Sequence, residues 1–69
     1  MTKFYGVIIG SEILDGRRED KHFKFLQTEL QKRGWELSGI FVIKDNVDLM
    51  KRTFSMLRKI DHSVIFSFG

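Results

Sequence analysis

Near the amino terminus, Phe4 to Ile9 (FYGVII) is apolar on successive positions rather than on alternate ones. A strand of that kind is buried on both faces, as in the middle of a parallel sheet. The run breaks at Gly10 into a short polar turn, Ser11-Glu12. A glycine at the carboxyl end of a strand lets backbone and ligand approach closely. In open α/β sheets ligands bind at the carboxyl ends of central strands. One stretch thus predicts both the core and the site.

The remaining chain supplies what such a strand needs. After Ile13-Leu14, Asp15-Gly16 has turn chemistry, and Arg17 to Asp20 is a wholly charged loop. Asp20 is the expected N-cap of a helix from Lys21 to Arg33. Phe23, Leu26 and Leu30 form its apolar stripe, and Phe25 widens it. Gly34 is the expected left-handed residue after its end. Trp35 to Ile43 reads as a second strand, polar on one face in its first half and apolar throughout in its second. Lys44-Asp45-Asn46 turns the chain. Asp45 with Asp48, or Asn46 in competition, caps a second helix from Val47 to Lys59. Its stripe is Val47, Met50, Phe54 and Leu57, flanked by Leu49 and Met56. Ser63 to Phe68 is a third strand. Phe23, Phe25, Phe41, Phe54 and Phe66 are assigned to the core.

Helical crossovers between strands predict a parallel α/β sheet with right-handed connections. The most apolar strand belongs in the centre, which gives the order 2-1-3 with one helix on each face. The topological switch point falls between strands one and three. There Gly10, Ser11 and Glu12 should meet Ser67, Phe68 and Gly69, with Asp45 on the same rim. The third strand is apolar on both faces and has none of the charge, proline or bulge that blunts natural edges. It is expected to pair with further strands or with another copy of the chain.

Size and charge narrow the partners. A chain of 69 residues has room for one domain. Ordering it costs on the order of 100 kcal/mol, which burial must offset. With no cysteine there is neither a disulfide nor a thiolate metal site. No membrane span or secretory signal is visible, so the default location is cytoplasmic. The net charge of +3 is spread in pairs such as Lys51-Arg52 and Arg58-Lys59. These read as solvated helix faces rather than a nucleic-acid stripe, and Lys51 and Arg52 as surface charge. His22 and His62 lack metal-ligand spacing and read as surface or helix-end residues.

IIGSEILDG, then Asp20, Phe25-Leu26, Leu30 and Gly34, then VIKDN, then DHSVIFSFG, resemble the first half of the molybdopterin-binding fold. That domain occurs in the MoaB/MogA molybdenum-cofactor biosynthesis proteins and in the competence/damage-inducible protein CinA. The run after strand one looks closer to the CinA-like branch. The resemblance implies a three-layer α/β/α fold, with residues 1–69 as the amino-terminal portion of one such domain. It also implies that this chain is a binding half-site rather than a whole enzyme. Of the family's glycine-rich loop after strand three, Ser67 and Phe68 stand where threonines are usual, and Gly69 matches the first glycine.

The implied ligand or substrate is molybdopterin. MogA-like members adenylylate it with ATP and Mg²⁺, and CinA-like members hydrolyse nucleotides. Asp45 matches the family's aspartate after strand two, which implies a catalytic role and a Mg²⁺ contact. A helix cap is the competing account of the same residue. Glu12 could hydrogen-bond a pterin amidine edge or a ribose hydroxyl. The resemblance also implies a homo-oligomer. A second class of function is a non-catalytic module that assembles through its third strand.

Overall fold

The computed structural model describes residues 1–69. The elements are β1 (Lys3–Ile9), α1 (Ser11–Leu14), α2 (His22–Lys32), β2 (Leu37–Ile43), α3 (Val47–Arg58) and β3 (Ser63–Phe68). The three strands form one parallel sheet in the order β2-β1-β3, as the apolar pattern predicts. The centre of β1 is sealed, with Val7 and Ile8 fully buried.

Alternation along β1 divides the core into two halves. On one face Phe4 packs with Leu26 and Leu30 of α2, and Leu37, Ile40, Phe66 and Phe68 close around them. On the other, Val7 packs with Ile43 and with Leu57 of α3, joined by Phe41, Met50 and Phe54. The helices therefore cover opposite faces and make three layers. Gly6 is where α2 comes closest: a Cβ there would lie 2.9 Å from the Leu26 Cδ2 and 2.8 Å from the Ile40 Cδ1.

The helix ends follow their residues. The N-cap position of α2 falls on Lys21 rather than Asp20, but both Asp20 carboxylate oxygens still accept from the first turn, from the His22 and Phe23 amides. At the other end Gly34 adopts φ 72°. The Trp35 amide reaches back to the Leu30 carbonyl and the Gly34 amide to that of Gln31, a Schellman closure. At α3 the Asn46 Oδ1 accepts from the Leu49 amide, so Asn46 is the cap and Asp45 is not. The four cations Lys51, Arg52, Arg58 and Lys59 are all exposed on or just past α3. Against them between Val47 and Lys59 stands Asp48 alone, a balance of +3, so the rest of the chain sums to zero.

Four expectations are corrected. Ser11-Glu12 does not form a polar turn but opens a one-turn helix, because the Gly10 carbonyl accepts from the Ile13 and Leu14 amides. Trp35 is not in β2: its amide is committed to the cap of α2, and its ring stacks on Phe4 at 4.9 Å. Phe23 and Phe25 are not core, being 43% and 57% exposed. Phe23 overhangs a groove at the outer edge of β2, where no further strand lies. Val47 and Met56 are likewise exposed, and buried Thr53 takes a place in the stripe of α3, its hydroxyl donating to the Leu49 carbonyl.

Candidate functional site

Parallel strands bring two chain reversals, after β1 and after β2, and the tip of β3 to one rim, the carboxyl edge of the sheet. After β1, Gly10 is buried and extended, and its amide donates to the Ile43 carbonyl at the end of β2. A Cβ on Gly10 would meet the Ile13 Cδ1 at 3.0 Å and the Glu12 Oε1 at 3.4 Å, so a bare backbone is what lets α1 fold tightly against it. Ser11 then reaches across: its Oγ accepts from the Asp45 amide at 3.2 Å. The loops after β1 and β2 are thereby pinned together.

Asp45 is exposed, and its carboxylate makes no hydrogen bond or ion pair. Asn46 has taken the capping role, so Asp45 is left as a free acid at the rim. Glu12 is half-buried and lies 3.5 Å from the Arg18 Nη1. The Arg18 amide also donates to the Glu12 carbonyl, which folds the charged loop back over α1.

At the other side of the rim Phe68 pairs with Ile8 across the β1–β3 ladder. Gly69 follows it, and a Cβ there would sit 3.9 Å from the Ile9 side chain. The tips of β1 and β3 are thus neighbours. Ser67 is exposed and has no side-chain hydrogen bond. Phe68 is not open to the crevice on both sides, because the His22 imidazole stacks on it at 4.8 Å. The structure joins Ser11 directly to Asp45, ties Gly10 to the end of β2, and sets Gly69 beside β1. No hydrogen bond or ion pair joins Glu12 to Ser67 or Phe68.

His22, Asp20 and Arg18 are the rim residues that sequence spacing did not single out. His22 follows Asp20 by two positions, and that proximity was the one signal available. Two recesses open here. One of about 510 Å³ is lined by Ile13, Arg18, Glu19, Lys21 and His22. Another of about 310 Å³ is lined by Ser11, Leu14, Asp15 and Lys44. No group of three or more His, Cys, Asp or Glu side chains is placed to hold a metal. A magnesium ion needs few protein ligands when phosphate oxygens supply the rest, so Asp45 fits such an ion only together with a phosphate-bearing ligand. No helix is long and apolar enough to cross a membrane.

This arrangement coincides with a family-level match. The family model described as a probable molybdopterin binding domain matches residues 6–69, nearly the whole chain. No curated protein and no solved structure matches it. The chain belongs to the molybdopterin-binding domain family.

Proposed function

We propose, from that membership, that the chain binds a pterin at the carboxyl rim of its sheet, through Gly10, Ser11 and Glu12 on one side and Ser67, Phe68 and Gly69 on the other. Asp45 is the acid that meets the ligand's phosphate, with Mg²⁺ between them. The observation that carries this reading is the Ser11–Asp45 hydrogen bond. It holds the loop after the central strand against the loop that carries the free Asp45 carboxylate. The wider role is in molybdenum-cofactor biosynthesis or CinA-like nucleotide metabolism, with ATP as the second ligand in the former case. Asp45 is then the one residue that touches the reacting phosphate.

Calorimetric titration tests it, using this chain and, where its gene continues past Gly69, the longer product. A pterin should bind to wild type. ATP should bind only with Mg²⁺, and Asp45→Asn should remove the Mg²⁺ dependence. Absence of heat with every pterin and nucleotide would end the proposal.

A second reading has one observation in its favour. β3 is an edge strand with nothing beyond it, and Val64 on it is 40% exposed. An apolar edge of this kind templates pairing with another strand. On this reading the chain assembles with copies of itself, without catalysis. Sedimentation discriminates: a monomer at micromolar concentration removes it.

A further inference from the structure

The His22 imidazole is held twice. Its Nδ1 lies 3.2 Å from the Asp20 Oδ1, and a carboxylate there can only accept, so Nδ1 carries a proton. One face of the ring is covered by Phe68 at 4.8 Å, with the planes 27° apart. The side chain nevertheless remains 40% exposed, whereas that of Asp20 is 15% exposed. His22 lines the recess of about 510 Å³, and Phe68 does not. The His22 ring thus has one face against Phe68, and the residue borders the recess.

The rest of the recess is one apolar side chain, Ile13, and three charged ones, Arg18, Glu19 and Lys21. Ile13, which follows Gly10 by three positions in α1, supplies its apolar wall. Glu19 is exposed and carries no ion pair or hydrogen bond, whereas the Glu12 Oε1 lies 3.5 Å from the Arg18 Nη1. A free carboxylate accepts two parallel N–H bonds from an amidine edge. Pterins and guanine share that edge and a flat bicyclic ring. Aromatic side chains stack such rings with little regard to their substituents, and a recess of this volume is of small-ligand size.

We propose that the recess is the seat of the ligand's heterocycle: His22 stacks on it, with Phe68 stacked behind His22, and Glu19 receives the amidine edge. Asp20 positions the imidazole. This deepens the rim-binding reading and rests on it. The ligand lies along α1, with its ring at His22 and its phosphate end toward Asp45.

The test follows the His22 ring-proton NMR signals in the wild-type chain during titration with neopterin, guanosine and pyrophosphate, each in the presence of Mg²⁺. His62 is an internal control, because its carbonyl accepts from Lys3 at the opposite edge of the sheet. Neopterin or guanosine should shift the His22 signals upfield and leave those of His62 in place. Pyrophosphate should move only the Gly10, Ser11 and Asp45 amides. The tighter of the two ring compounds identifies the source of the heterocycle. His22→Ala should weaken ring binding about tenfold or more, the order of one lost aromatic stack. His22→Phe, which keeps a stacking plane without the Asp20 bond, should retain most of it. Glu19→Gln should weaken it while leaving pyrophosphate binding unchanged. If the ring compounds move the rim amides but not His22, and bind His22→Ala as well as wild type, the seat is refuted and the rim reading survives. If none of the three probes moves the rim amides, the rim reading fails as well.

Discussion

Asp45 and Asn46 are adjacent, and the sequence offers both as caps for the same helix. Either side chain can accept from an amide in the first turn, so spacing alone does not choose. The fold chooses Asn46, because the Asp45 amide is drawn toward Ser11. The two residues should therefore separate cleanly by mutation. Asn46→Ala is expected to cost about 1 kcal/mol in urea denaturation. Asp45→Asn should leave the midpoint unchanged and act only on Mg²⁺-dependent binding. A large stability loss from Asp45→Asn would mean that it caps after all. The left-handed conformation of Gly34 was legible from the sequence, since a glycine after a cationic last turn has one dominant use. The His22–Phe68 stack was not. It joins residues far apart in the chain, and no local pattern carries it.

At the scale of elements, strand and helix order were readable because each apolar run carries its own period. The errors lie at ends and outer faces. Phe23 and Phe25 fit a helical stripe, but a three-stranded sheet is too narrow to cover them. Helix α2 also carries the one clear electrostatic perturbation. Hydrogen bonds from Arg33 and Lys32 hold the Glu29 carboxyl below the usual carboxylate range. A lowered acid contributes stability that is present above its unfolded pKa and lost as pH falls through its folded one. The pair is exposed, so the effect is small. Glu29→Gln should flatten the acid limb of the stability–pH curve below the ordinary carboxylate range and leave neutral pH nearly unaffected. An unchanged acid limb would show that these bonds do not persist in solution.

For the molecule as a whole, the two core halves meet across a sheet of three strands, each of which sends side chains to both. Ten residues are buried in all. The accessible surface of 5140 Å² exceeds the roughly 4,500 Å² that size scaling gives a compact chain of this mass. Neither half is thick enough to stand alone, so damage to one should unfold both. Leu57→Ala, opposite α2, is expected to cost 2–5 kcal/mol or so. It should also erase the protection of amides in α2 along with those in α3 during hydrogen exchange. Survival of α2 protection in that variant would show two independent halves.

The positions of Lys51, Arg52, Arg58 and Lys59 give the molecule a polarity of its own. Since everything outside that one helix cancels, the chain behaves electrically as a neutral plate painted positive on a single side. It would settle on a sulfonated matrix one way up, the two strand edges and the rim still facing the buffer. Added salt would loosen that grip without touching the pinned loops on which ligand binding depends.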